Sequence, residues 1–426
     1  MEFTWQAITF CVENERVSIK KFGDVAENKT HTPLVELQIA GCDHAGNVAA
    51  KAVRCSETES LRYVSHCVNG DALTVTQANE RCEVTTELRA FDGTNAVQIF
   101  TSVKNVSAAP VTVETLSAFV LGGLFGGRKN VHTTYFIKFT QGHHCECQPR
   151  RFSLEQYGFN AYVDGGEKCL TYKNIGSWSS KEELPQGILE YDGKFLMFQI
   201  ESNCHWQYTV SAQKGELNLC LSGGSAFCGN ESRELQKGES LQTPIVAIAC
   251  GNSLNAVIGE MTRYRRHIAG RSAPDEHLPV IFNEYMHLSW DSPTELNTRK
   301  IAPVAAKAGA EYYVIDCGWH NEEDGDKVYP YVGQWKESKA RFPHGVRATT
   351  DYIRSLGMKA GLWIEPEIIG VQCEEMLSYY DENCFLHRGG KRVAVMGRYF
   401  LNFRAKKVID YLSETIRRMV EDYGAQ

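Results

Sequence analysis

With 426 residues, 43% of them hydrophobic and 23% charged, the chain has the make-up of a soluble globular protein long enough for two or more cores. A net charge of −7 supplies no basic field for nucleic acid, and no run approaches the roughly 20 consecutive apolar residues that cross a bilayer. Fifteen cysteines, an odd number without a repeating framework, fit reduced thiols, and MEFTWQAITFCVENERV lacks the basic start of a secretory signal, so a cytoplasmic protein is expected.

From the start to about Arg271, short alternating runs recur between turn signals, among them VELQIAG, DALTVTQ, CEVTTELRAF, NAVQIFTSVKNVS, PVTVETLSAFVLGG, KFLMFQIES, HWQYTVSA and TPIVAIACG. Alternation puts one face of each strand into a core, and many such segments in series predict a large antiparallel β-sandwich over residues 1–253. Between Leu254 and His267 the period lengthens: Val257, Ile258, Met261 and Tyr264 follow a helical spacing, and Gly270, Pro274 and Pro279 come after them. Residues 254–278 are therefore expected to form a linker helix and a domain boundary.

Beyond it the order becomes strand, helix, strand, helix. VIFNEY (280–285) is a short apolar strand, Thr294 to Gly309 a helix, and EYYVIDCGW (311–319) a buried strand. A helix over ATTDYIRSLG (348–357) leads into a strand over MKAGLWIEPE (358–367). Ala405 to Asp422 is a further helix with Val408, Tyr411, Leu412, Ile416, Met419 and Val420 on one face. This alternation predicts parallel strands with helical crossovers. A complete (β/α)₈ barrel takes about 250 residues, so residues 279–426 are read as its first half.

In such a barrel the site lies at the C-terminal ends of the strands, and polar residues that end an apolar strand are the candidates. Asn283, Glu284 and Tyr285 follow PVIF, where an ordinary strand-to-loop transition is the competing reading. Asp316, Cys317, Gly318 and Trp319 follow YYVI. An Asp after four apolar residues costs desolvation unless it meets a ligand or a structural partner, and Trp319 offers a flat face to the apolar side of a sugar ring.

Trp363, Glu365 and Glu367 in GLWIEPE share one face if the strand continues that far, which suggests carbohydrate. The two glutamates would stand about 6.6 Å apart, superficially a glycosidase pair. Carboxylates on one strand flank one side of a substrate, whereas attack and protonation come from opposed or converging walls. Hydrogen bonding to sugar hydroxyls, or support for the site, is the better role.

Other motifs point away from chemistry. HHCEC (143–147) lacks the loop spacing of a zinc site, and no metal is assigned there. GGLFGGRKN (122–130) lacks the ending of a phosphate loop and reads as a turn. Gly333-Gln334-Trp335 reads as a loop carrying an exposed aromatic that borders a site or simply packs, and Phe342-Pro343 with Gly345 as a loop before a helix.

In that order and spacing, PVIFNEY, YYVIDCGW, GQWKESKARFPHG and GMKAGLWIEPEIIG resemble the barrel signatures of glycoside hydrolase family 36. The resemblance is strong over residues 279–424 and looser before them. It implies a β-sandwich ahead of a (β/α)₈ barrel, a retaining α-galactosidase activity on terminal α-linked galactose, and no metal or organic cofactor. It places Asp316 on the galactose hydroxyls, Trp363 in the sugar pocket, Tyr285 where the family often has Trp, and Arg398 at a substrate contact.

Cys317 stands where the family commonly has a second Asp, and a thiol is a weaker acceptor than a carboxylate; α-N-acetylgalactosaminides become an alternative substrate. The family's nucleophilic Asp, in an aromatic-x-Lys-x-Asp strand, and its acid/base Asp are expected beyond Gln426. Two other readings stay open: a non-catalytic carbohydrate-binding subunit whose partner chain covers the open barrel, and transglycosylation. The resemblance also implies a homo-oligomer.

Overall fold

The computed structural model describes the chain except residues 43–54, 143–144, 161–167, 177, 214, 227–231, 271–275 and 321–327. His143 and His144 of the HHCEC motif, and the side chains of Cys145 and Cys147, lie outside the described residues. The chain divides into two compact units, Met1–Gly270 and Arg271–Gln426. Among the described residues no helix is long and apolar enough to cross a membrane.

Among the described residues, the first unit is built almost wholly of antiparallel strands in three sheets of four, six and ten strands. The period-2 pattern is what buries them: Ala72–Ala78, Cys82–Ala90 and Val97–Asn105 each alternate buried and more exposed residues along their length. The inner faces of the six- and ten-stranded sheets share one core, in which Phe136 and Phe198 of the larger sheet meet Tyr208 of the smaller. Thr86 and Thr101 pair within this interior: their Oγ1 atoms lie 2.9 Å apart, and Thr101 donates to the Ala118 carbonyl. The glycine-rich 122–130 stretch closes on a single 3₁₀ turn, Arg128–Asn130, as the turn reading expects.

Helix Leu254–Ile268 starts where the Ser253 side chain accepts from the Ala256 amide, and its last turn carries Arg265, Arg266 and His267 against the negative end of the helix dipole. Val257, Met261 and Tyr264 pack it onto Ala96, Ile137, Ile188 and Met197. The Tyr264 hydroxyl donates to Glu201 at 2.6 Å and Arg265 to Gln199 and Gln186 at 2.7 Å each. The expected linker helix is thus fastened to the first unit.

The second unit holds a parallel sheet of three strands in the order Ile281–Asn283, Tyr312–Ile315, Lys359–Leu362. Helix Glu295–Lys307, capped by the Thr294 side chain, connects the first two, and helix Val346–Ser355 precedes the third. A small antiparallel sheet of Ile368–Gly370, Arg398–Phe400 and Ala394–Val395 follows; the period reading did not anticipate it. Helix Lys406–Glu421 buries Val408, Leu412, Thr415 and Met419. That corrects the expected apolar face: Ile416 and Val420 are both 53% exposed, because the buried stripe follows spacings of four, three and four residues and leaves these two on its flank.

Candidate sugar-binding site at the strand ends

The three parallel strands deliver their last residues to one end of the sheet. Asn283, ending the first, donates its side-chain amide to Asp316 Oδ2 at 2.5 Å, and Asp316 Oδ1 accepts from the Cys317 backbone N–H at 2.7 Å. Both oxygens are oriented by fixed donors, each with acceptor capacity left for a ligand hydroxyl. Asp316 is buried, with 7% of its surface exposed.

Gly318 makes the turn that follows possible. Its φ is +99°, and a Cβ there would sit 2.1 Å from the Asp291 carbonyl oxygen and 2.4 Å from Arg341 Nη1. Arg341 Nη1 donates to those same two backbones, to Asp291 O at 2.5 Å and Gly318 O at 2.9 Å.

Trp319 does not present its face to a ligand. It is completely buried, its indole N–H donates to the Trp363 carbonyl at 2.8 Å, and its ring meets His320 and Tyr423 edge-on. The stacking platform expected at Trp319 is corrected: the residue holds the Trp363 backbone in place. Trp335 is likewise buried, not an exposed loop aromatic, and packs against His320 and Trp363. Trp363 itself is half-buried, with His320 nearly parallel to it at 6.1 Å. Burial lowers the His320 pKa to about 3, so this imidazole is neutral.

The third strand ends at Leu362, opposite Ile315, with one further backbone bond from Trp363 N to Ile315 O. The alternation that would carry Trp363, Glu365 and Glu367 along one strand face therefore lapses, since the neighbouring strand turns away at Asp316 and Pro366 interrupts the run. Glu365 is ion-paired with Arg398 at 2.9 Å, whereas Glu367 is exposed. Burial raises the Glu365 pKa and the Arg398 charge opposes it. The small antiparallel sheet brings Arg398 here through the pairing of Gly370 with Arg398.

A third group gathers around Tyr329, which the sequence did not single out. Its hydroxyl lies 3.1 Å from that of Tyr285, and the Arg398 guanidinium stacks over its ring at 4.8 Å. Cys317 is 1% exposed, and burial pushes its thiol pKa up, so it stays protonated. Tyr329 lies in a Tyr-Pro-Tyr loop with no periodicity to mark it.

Beneath this layer Glu284 is wholly buried. Its Oε2 accepts from the Tyr313 hydroxyl at 2.6 Å and from Thr298 Oγ1 at 3.1 Å. Burial raises its pKa to about 7 against those two hydrogen bonds, which pull it down. The Phe342-Pro343-His344-Gly345 stretch serves the scaffold: Phe342 is buried, and Glu337 caps the next helix by accepting from the Val346 amide at 2.7 Å.

The assembled site offers one oriented carboxylate, one Arg–Glu ion pair, two tyrosine hydroxyls and a half-buried tryptophan. Such a mixture of rigid polar groups and an aromatic face suits a polyhydroxylated ring.

A family model described as Melibiase matches residues 240–426. The chain is 28% identical over 190 residues to α-galactosidase AgaA of Geobacillus stearothermophilus, covering 44% of this chain and 25% of that protein. It is 24% identical over 352 residues to a probable α-galactosidase C of Aspergillus terreus, covering 78% and 44%. Among solved structures, the GH36 α-galactosidase AgaA of G. stearothermophilus superposes with a TM-score of 0.76 at 16% identity, over 100% of this chain and 64% of that one; a variant of that enzyme was solved with raffinose. The chain spans less than half the length of these curated relatives. In sequence over residues 240–426 and in fold, this chain is similar to the GH36 α-galactosidases over part of their length.

Proposed function

We propose that residues 279–426 form the sugar-recognition wall of an α-galactosidase-type glycoside hydrolase acting on terminal α-linked galactose. The observation that carries this is Asp316, held by Asn283 at one strand end, together with the Tyr285–Tyr329 hydroxyl pair, the Arg398 guanidinium over Tyr329 and its ion pair with Glu365. In this reading the three parallel strands open a (β/α)₈ barrel, residues 1–253 are a β-sandwich domain, and 254–278 mark the boundary between them. Double displacement requires a nucleophilic carboxylate and an acid/base carboxyl. The reading assigns neither role to Glu365, which is neutralised by Arg398, nor to Glu367. Asp316, Tyr285, Trp363 and Arg398 bind and orient the sugar, while Cys317 and Trp319 support them from the interior. A cytoplasmic setting, in which the thiols stay reduced, belongs to the same proposal.

Galactose and raffinose titrations followed by tryptophan fluorescence test it, because Trp363 borders the site. Asp316→Asn is expected to weaken galactose binding at least tenfold without lowering the melting temperature by more than a few degrees. Equal binding by both proteins refutes the assignment. A parallel titration with N-acetylgalactosamine reads the consequence of Cys317, and tighter binding of that sugar moves the specificity to α-N-acetylgalactosaminides.

A further inference from the structure

We propose that the first unit carries a zinc-binding site formed by Cys11, Glu13 and His31, independent of the sugar site. One ligand atom from each, the Cys11 thiol sulfur, a Glu13 carboxylate oxygen and a His31 imidazole nitrogen, lie within 4.8 Å of one another. Cys11 and Glu13 are two residues apart on the strand Ile8–Glu13, so the pleat points both side chains to the same face. That face is the outer one, since Ile8 and Phe10 occupy the core. Glu13 is the last residue before the Asn14-Glu15 turn, where both residues have positive φ, and it pairs with Arg16 across the hairpin.

His31 reaches this face from a loop that is pinned on both sides. The Thr32 amide donates to Asn28 Oδ1 at 3.0 Å and Asn28 Nδ2 to the Thr32 carbonyl at 3.1 Å, while Glu216 accepts from the Lys29 and Thr30 amides at 2.5 and 3.1 Å. His31 itself has φ +53°, an unfavourable region for a non-glycine residue, and this directs its ring towards Glu13: Nε2 and Glu13 Oε2 are 2.6 Å apart.

Thiolate, imidazole and carboxylate are the donor types that zinc takes, at about 2.3 Å for sulfur and about 2.0 to 2.2 Å for nitrogen and oxygen, which in a tetrahedron sets the ligand atoms about 3.3 to 3.6 Å apart. To admit the ion the His31–Glu13 contact has to open by about 0.7 Å and any ligand pair near the 4.8 Å limit has to close by about 1.2 Å, and both His31 and Glu13 side chains are about half exposed and able to rotate. Three protein ligands leave a fourth position for water. A mixed sulfur, nitrogen and oxygen set disfavours calcium and magnesium, which prefer all-oxygen shells. The nearby cations that would oppose binding are both occupied: Arg16, opposite Glu13, pairs with Glu59, and Lys20 pairs with Glu2, two strands away.

The test is cobalt and zinc titration of the 426-residue protein, with Cys11→Ser, His31→Ala and Cys204→Ser variants. Cys204 is an exposed thiol beside His205 and serves as the control. Wild type and Cys204→Ser are expected to take up one equivalent of cobalt with a near-ultraviolet thiolate charge-transfer band. Cys11→Ser should lose the band, and His31→Ala should bind zinc at least tenfold more weakly in competition with a chromophoric chelator. Absence of the band in wild type, or its persistence in Cys11→Ser, overturns the proposal; the wild-type spectrum decides even where a variant fails to fold.

Discussion

Replacing Glu284 with Gln gives the sharpest prediction from the strand-end scaffold. Glu284 is completely buried, and its pKa is raised from an ordinary 4.5 to about 7. A carboxyl whose folded pKa is raised binds its proton more tightly folded than unfolded. Its contribution is therefore fully present below pH 4.5, declines as pH climbs through about 7, and is lost above that. At about 1.4 kcal/mol per pH unit of separation, ionising Glu284 costs the folded state about 3 kcal/mol. Glutamine keeps the shape and can still accept from Tyr313 and Thr298 without acquiring a charge. For a unit of this size that difference corresponds to a melting shift of about 9 °C. Thermal unfolding of both proteins at pH 4.5 and pH 8.5 should show near equality at the lower pH and the Gln variant melting higher at the upper one. A gap that does not change with pH would refute the reasoning.

Two more predictions concern the same end of the sheet. Gly318→Ala forces a Cβ against the Asp291 backbone carbonyl at positive φ and should cost about 3 kcal/mol or more, read as a lower urea midpoint together with weaker galactose binding. Arg398→Ala leaves the partly buried Glu365 unpaired. After allowance for its partial exposure this should cost about 1 to 2 kcal/mol, and Glu365→Gln added to it should restore most of the loss in a double-mutant cycle.

The sequence by itself determined which segments are strands and which of their residues are buried, because alternation puts every second side chain on one face: Ala72–Ala78 and Cys82–Ala90 show it residue by residue. It also marked Asp316, since an acid at the end of an apolar strand is costly without partners, and Asn283 and the Cys317 amide are those partners. Tertiary structure decided the rest. Local pattern could not tell that Trp319 faces inward, because a tryptophan after a strand stacks or packs according to neighbours such as Tyr423, more than a hundred positions away. Nor could it end the third strand, since a strand lasts only while its neighbour offers hydrogen bonds, and that neighbour turns away after Ile315. Tyr329 and Arg398 join the site through a loop and a short hairpin whose positions are set by packing, so no period in the sequence announces them.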